Sequence, residues 1–208
     1  YFGMSAATSL VDRIDYSSDT STAAAKGPLS AARYAMGAAG TASYGWWAGG
    51  GNPAVTTTDR LDYSSDTTTA APKGPLSRTG RFHGATGSAS YGYWAGGVPT
   101  STRITNVDRI DYSNDTPTAS PKGPLSAATY KMAATGNADY GYWGAGRVPG
   151  SPSHTTITQR LDYSSDTTTA AAKGPLAYCQ SYMGSTGNTS YGYWGSGAGQ
   201  PGSNVSTA

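Results

Sequence analysis

The sequence predicts an all-β protein built of tandem four-stranded units, and three observations predict it. Asp15-Tyr16-Ser17-Ser18-Asp19 returns at Asp62, Asp111 and Asp162, at spacings of 47, 49 and 51 residues. Lys26-Gly27-Pro28-Leu29 returns at Lys73, Lys122 and Lys173, and a Tyr-Gly-Tyr-Trp element keeps step at Tyr91, Tyr140 and Tyr191, with Tyr-Gly-Trp-Trp at Tyr44. Nothing carries a helical period: the alanines sit beside Thr, Gly and Pro, and all twelve acids are Asp, which favours turns. Self-similarity on this scale is the mark of stacked supersecondary units.

From the repeated lysine to the repeated tyrosine is 18 residues in every copy. All length variation therefore lies between the Trp and the next Asp-Tyr. The frames run over about 1–43, 44–90, 91–139 and 140–190, with an extra strand at 191–197. Residues 1–198 are expected to form one domain and 199–208 a tail.

Each unit reads as four short extended stretches. The first is Arg33-Tyr34-Ala35-Met36, matched by Arg81-Phe82-His83, Tyr130-Lys131-Met132 and Tyr182-Met183. A turn rich in Gly, Asn and Ser follows, then Tyr-Gly-Tyr-Trp. That strand carries aromatics on both faces, Tyr91 and Tyr93 on one and Trp94 on the other, so both faces are expected to be covered. The third stretch is Val11 to Tyr16, with Ile14 and Tyr16 on one face. Arg13 and Asp15 share the other and are expected to pair along the strand, a surface term of roughly 0–1 kcal/mol. Ser17 to Thr20 reads as a turn whose Asp and Ser cap backbone donors. The fourth stretch, Thr20 to Ala25, ends at Lys-Gly-Pro, which no strand interior tolerates.

Four short strands in about 48 residues, in tandem, are the signature of a propeller blade. The order resembles the kelch repeat: strand, turn, aromatic strand ending in Gly-Gly, variable loop, strand ending in Tyr. The residues that carry it are Gly49-Gly50, Gly96-Gly97 and Tyr16, Tyr63, Tyr112 and Tyr163. The kelch Trp of the outer strand is replaced by Thr and Ala, and the last two glycine pairs are Gly144-Ala145-Gly146 and Gly195-Ser196-Gly197. The resemblance implies a kelch-like β-propeller of four blades, or a segment of a longer propeller or repeat array. The wording Asp-Arg-Ile-Asp-Tyr-Ser-Asn-Asp-Thr through Lys-Gly-Pro-Leu-Ser also resembles uncharacterised repeat proteins of marine and freshwater bacteriophages. That resemblance implies a structural role on a virion surface or elsewhere outside the cell.

Tyr1-Phe2 look like the back half of a further aromatic strand, so the chain opens partway through a unit. Tyr178 to Thr186 could complete that unit, yet a whole second strand follows at Tyr191. Three arrangements satisfy this count: a closed ring with a tail, an excerpt of a longer array, or a spare strand donated to a neighbouring molecule. Small residues in the innermost strands (Gly37-Ala38, Gly84-Ala85, Ala133-Ala134, Gly184-Ser185) suit a narrow axis.

Composition bounds the function. Charged residues make up 12% of the chain against about 25% in a typical domain. Sixteen Tyr and five Trp argue against disorder despite 29 glycines. A net charge of +2 gives no reason to expect a nucleic-acid partner, and no apolar run approaches a membrane span, so membrane insertion is not expected. There is no signal-peptide pattern, and a first residue of Tyr predicts processing or a longer parent. A single Cys179 excludes an intrachain disulfide.

Candidate chemistry is sparse. His83 stands where the other copies hold Met36, Met132 and Met183, and Cys179 aligns with Ala32, Thr79 and Ala128; both read as packing. Ser17 and Asp19 half resemble the Asp-box of sialidase-type propellers but lack its Gly and Trp. Asp15 and Asp19 supply too few oxygens for Ca2+. No cofactor or metal is expected. Function is expected in the variable segments, where Arg103, Arg147 and His154 are the polar residues with binding chemistry. Sequons stand at Asn114, Asn188 and Asn204.

The reading is a non-enzymatic structural or adhesive module outside the cell or on a virion. Its expected partners are a glycan, a cell-surface protein, or copies of itself in an oligomer or filament. The rival readings are a glycosidase- or lyase-type propeller enzyme and a filament subunit joined by donated strands. The enzyme reading needs Asp139, the one acid outside the repeated frame, to converge with Arg147 and His154.

Overall fold

The computed structural model describes residues 6–150 and 153–199. It is all-β, with two single-turn 3-10 segments at Tyr63–Ser65 and Tyr163–Ser165. A two-stranded ribbon, β1 (Val11–Arg13) with β2 (Ala24–Lys26), comes first. Three four-stranded antiparallel sheets follow, each with its strands in chain order. They are β3 (Gly37–Gly40), β4 (Tyr44–Ala48), β5 (Thr58–Asp62) and β6 (Ala71–Lys73); then β7 (Gly84–Gly87), β8 (Tyr91–Ala95), β9 (Val107–Asp111) and β10 (Ser120–Pro121); then β11 (Ala133–Gly136), β12 (Tyr140–Gly144), β13 (Thr158–Asp162) and β14 (Ala171–Lys173). Beyond these, β15 (Gln180–Ser181) pairs with β18 (Ala198–Gly199), and β16 (Gly184–Gly187) with β17 (Gly192–Gly195).

The aromatic strand sits second in each sheet, and register is identical across copies. Tyr44 faces Asp62, Tyr91 faces Asp111 and Tyr140 faces Asp162. Neighbouring sheets meet through their first strands, β3 on β7, β7 on β11 and β11 on β16. Those strands are small for a physical reason. A Cβ on Gly37 or Gly84 would lie 2.8 or 2.7 Å from the indole of the next sheet, Trp94 or Trp143.

The core lies between sheets rather than within them. Trp46 stacks on Tyr112 of the next sheet at 4.1 Å, and Tyr93 on Tyr163 at 4.6 Å. Such pairs contribute roughly 0.5–1.5 kcal/mol each beyond burial. Trp46, Leu76, Trp94 and Ile110 form one cluster; Tyr93, Leu125, Trp143 and Leu161 form the next. Trp94 Nε1 donates to the Gly37 carbonyl and Trp143 Nε1 to the Gly84 carbonyl, both at 3.0 Å. Each sheet therefore depends on its immediate neighbours, the energetics of a stacked repeat protein.

The second acid of each Asp-Tyr-Ser-x-Asp turn crosses to the preceding sheet. Asp115 accepts from Trp46 Nε1 at 2.9 Å and Arg60 at 3.0 Å, with Lys73 Nζ at 3.5 Å. Asp166 repeats this with the Tyr93 hydroxyl, Arg109 and Lys122, and Asp66 with Arg13 and Lys26. The expected pairing of Arg13 with Asp15 along one strand is thus corrected: the arginines span the gap between sheets. The first acid does the capping. Asp15, Asp62, Asp111 and Asp162 each accept from the hydroxyl and amide of the serine two residues on, which holds their carboxyls below the usual range.

The first stretch of each unit also differs from expectation. Residues 33–36 do not form the strand; Ala35, Phe82, Lys131 and Tyr182 take φ of 57–62°, left-handed for non-glycine residues. Each first strand begins two residues after the left-handed position, at Gly37, Gly84, Ala133 and Gly184.

The Lys-Gly-Pro-Leu motif has a definite task. Gly27, Gly74 and Gly123 donate to the carbonyls of Asp66, Asp115 and Asp166 at 2.7–2.8 Å. Main chain approaches so closely that a Cβ on Gly74 would overlap the Pro117 carbonyl. Gly74→Ala is therefore expected to destabilise the fold by about 1–3 kcal/mol, read as a lowered urea midpoint. An unchanged midpoint would show that this approach is not tight.

Candidate functional site

The four left-handed residues form a column running from sheet to sheet. Phe82 N donates to the Ala35 carbonyl at 2.7 Å, Lys131 N to Phe82 at 3.2 Å and Tyr182 N to Lys131 at 2.9 Å. Their backbone is fixed by this ladder, and three of their side chains, Phe82, Lys131 and Tyr182, meet the variable loop 98–103.

There they build a cationic and aromatic cleft of about 310 Å³. Lys131 Nζ lies 5.0, 4.9 and 4.4 Å from the ring centres of Phe82, Tyr130 and Tyr182. The Arg103 guanidinium lies 5.0 Å over Tyr130, and Arg81 5.8 Å over Phe82. Phe82 and Tyr182 meet edge to face at 5.8 Å, although they belong to units two apart. Tyr182 remains exposed.

Arg147 pairs with Tyr130 in a two-way backbone bridge, and with His154 in a second bridge. His154 Nε2 lies 3.3 Å from the Ser181 hydroxyl. Desolvation and the charge of Arg147 push its pKa down. Burial opposes ionisation of the Tyr130 phenol, but Lys131, Arg147 and Arg103 outweigh it and bring its pKa below the usual range.

Among the described residues, Arg81, Arg103, Lys131 and Arg147 have no carboxylate within 4 Å, and no acid lines the cleft. The Nε atoms of the three arginines are buried without a partner. An unpaired cluster of cations against rings favours an anionic group with a flat apolar face.

Arg103, Arg147 and His154, the residues singled out from sequence, all lie at this end of the array. Arg103 lines the cleft, while Arg147 and His154 flank Tyr130 and Ser181. Sequence reasoning missed Arg81, Phe82, Tyr130, Lys131 and Tyr182. A signal was available: the slot holding Ala35, Phe82, Lys131 and Tyr182 differs in every copy although the segment around it keeps a constant length. The loop 98–103 is not wholly variable, because Val98 is buried and bridges Arg81.

Asp139 is elsewhere. It precedes β12, whereas Arg147 and His154 follow it, so a whole strand separates them. His83 is buried, with Nδ1 2.9 Å from the Gly96 carbonyl, and burial lowers its pKa. Cys179 is a free thiol in the link before β15. Asn114 and Asn188 are exposed in turns, and Asn204 lies outside the described residues. Among the described residues no helix is long and apolar enough to cross a membrane.

No family model matches the chain, and no curated protein matches it.

Proposed function

We propose that the chain is a non-enzymatic structural and adhesive module, a propeller-type repeat array working outside the cell or on a virion as part of a fibre or surface filament. Its stacked sheets hold the cleft rigidly, and the cleft takes an acid-bearing glycan. The observation that carries this reading is the group of cations without carboxylate partners, set against half-exposed rings where the loops vary. Small first strands and contacts repeated from sheet to sheet support the propeller-type arrangement, and the wording of the repeats supports the location.

Two features favour binding over cleavage. Hydrolysis of a glycosidic bond uses a pair of carboxyl groups across the bond, and no acid lines this cleft. Eleven of the twelve acids belong to the repeated frame, where they cap turns, brace loops or tie sheets together in the interior copies.

Binding of alginate, dextran sulfate and neutral dextran tests the reading. The acidic polymers are expected to bind and to weaken with salt, and Arg103→Ala or Lys131→Ala to reduce affinity about 10–100-fold, as loss of a charge-assisted contact implies. Exchange of residues 99–102 is expected to leave the thermal midpoint in place and alter only binding. Equal binding of neutral dextran, or shortening of the bound polymer, would overturn it; preference for acidic proteins over both polymers would move the partner to that class.

A further inference from the structure

On the reading that the cleft takes an acid-bearing glycan, on which this rests, we propose that its occupant is an internal stretch of an extended, diequatorially linked polyuronate. The polymer lies along the column of left-handed residues, one sugar per unit, and its carboxylates meet cations on alternate sides. Two files of side chains run beside each other along the column. Tyr34, Arg81 and Tyr130 make one file, from the first, second and third units; Phe82, Lys131 and Tyr182 make the other, from the second, third and fourth.

Both files read ring, cation, ring, and the second is displaced from the first by one unit. In the first, an Arg81 guanidinium nitrogen donates to the Tyr34 hydroxyl at 3.2 Å. In the second, Lys131 Nζ lies 5.0 Å from the ring centre of Phe82 and 4.4 Å from that of Tyr182. The displacement sets cation beside ring at Arg81-Phe82 and reverses the order to ring beside cation at Tyr130-Lys131. Neither Arg81 nor Lys131 has a carboxylate within 4 Å among the described residues. Main chain holds both files in place. The second is bonded from rung to rung at 2.7–3.2 Å, and in the first Arg81 and Tyr130 exchange two bonds each with Val98 and Arg147 at 2.9–3.1 Å.

The spacing of the rungs suits a sugar chain. Main chains hydrogen-bonded side by side lie about 4.8 Å apart, close to the advance of one pyranose along an extended ribbon. In such a ribbon each sugar is turned half a rotation from the one before, so successive carboxylates leave on opposite edges. A carboxylate at the second unit then meets Arg81 in one file, and the next, at the third unit, meets Lys131 in the other. Phe82 and Tyr130 stand across from these cations and flank the apolar C–H surface of each sugar. The cleft is lined from more than one unit, since Phe82 and Tyr182 both border it, so it receives sugars in succession.

Calorimetric titration of the full chain with mannuronate oligomers, from monomer to hexamer, tests the pose. Affinity is expected to climb about 10–100-fold from monomer to tetramer, as a second charge-assisted contact joins the first, and then to level off. Arg81→Phe combined with Phe82→Arg keeps charge and composition but puts both cations in one file. This exchange is expected to bind the monomer as before and the tetramer about 10-fold more weakly, with circular dichroism checking the fold. Arg81→Ala and Lys131→Ala each leave one cation, are expected to abolish the gain from monomer to tetramer, and carry the test if the exchange does not fold. A monomer bound as tightly as the tetramer overturns the pose and leaves the acid-bearing-glycan reading standing. So does a folded exchange variant with unchanged tetramer affinity, a gain that survives both alanine variants, or binding of alginate without binding of the oligomers. Failure of alginate, dextran sulfate and the oligomers alike to bind overturns both.

Discussion

Trp143→Ala is expected to destabilise the protein by about 3–5 kcal/mol, the range for emptying the site of a fully buried large aromatic. Trp143 is 0% exposed and packs with Leu125, Met132 and Leu161 from two sheets, and its indole donates to the Gly84 carbonyl. Truncation opens a cavity at the sheet-to-sheet contact and leaves that carbonyl without its partner. The control is Trp194→Ala at the partly exposed end, which makes the same kind of bond to the Ala133 carbonyl at 3.2 Å with far less packed around it. Denaturant midpoints of the two variants check this. Equal losses would mean that the indoles do not work through burial between sheets.

Asp115→Ala is expected to cost about 3 kcal/mol, because it removes one member of a largely buried charge cluster and strands the rest. The carboxylate side chain is 5% exposed and gathers the Trp46 indole, Arg60 and Lys73. Without it Arg60 and Lys73, both on the preceding sheet, are left side by side with no counter-charge, and a buried indole N–H loses its acceptor. Asp19→Ala removes the corresponding acid of the first turn, which has no cation within 4 Å among the described residues, and is expected to leave the thermal midpoint of the chain unchanged. If Asp115→Ala shifted the midpoint no more than Asp19→Ala, the crossing acids would not be what joins the sheets.

The period of the sequence made the sheets legible. Fixed spacing from Lys26 to Tyr44 and its copies foretold strands in register, and the two-faced aromatic strand foretold cover on both sides, as Trp46 and Trp94 have. Partners across the gap between sheets were not legible. Arg13 and Asp15 are two residues apart in a strand, so alternation alone put them together, yet Arg13 bonds to Asp66, 53 residues away. Spacing within a segment says which side chains share a face and nothing about what that face meets. The glycine of Lys-Gly-Pro-Leu reads as a strand terminator by itself; only the packed main chain of the next sheet reveals it as a contact point. In and beside the cleft, Arg103, Arg147 and His154 stood out because their loops vary in length. Phe82, Lys131 and Tyr182 sit in a segment of constant length, where their diversity was masked by regular surroundings.

The column through Ala35, Phe82, Lys131 and Tyr182 is hydrogen-bonded from rung to rung through main-chain atoms. Those bonds ask for no particular side chain beyond one that tolerates a left-handed backbone, so the same scaffold can spell different binding faces by exchanging one residue per unit. Lengthening the molecule by a unit would lengthen that inscription by one character, leaving the rest of the text in place.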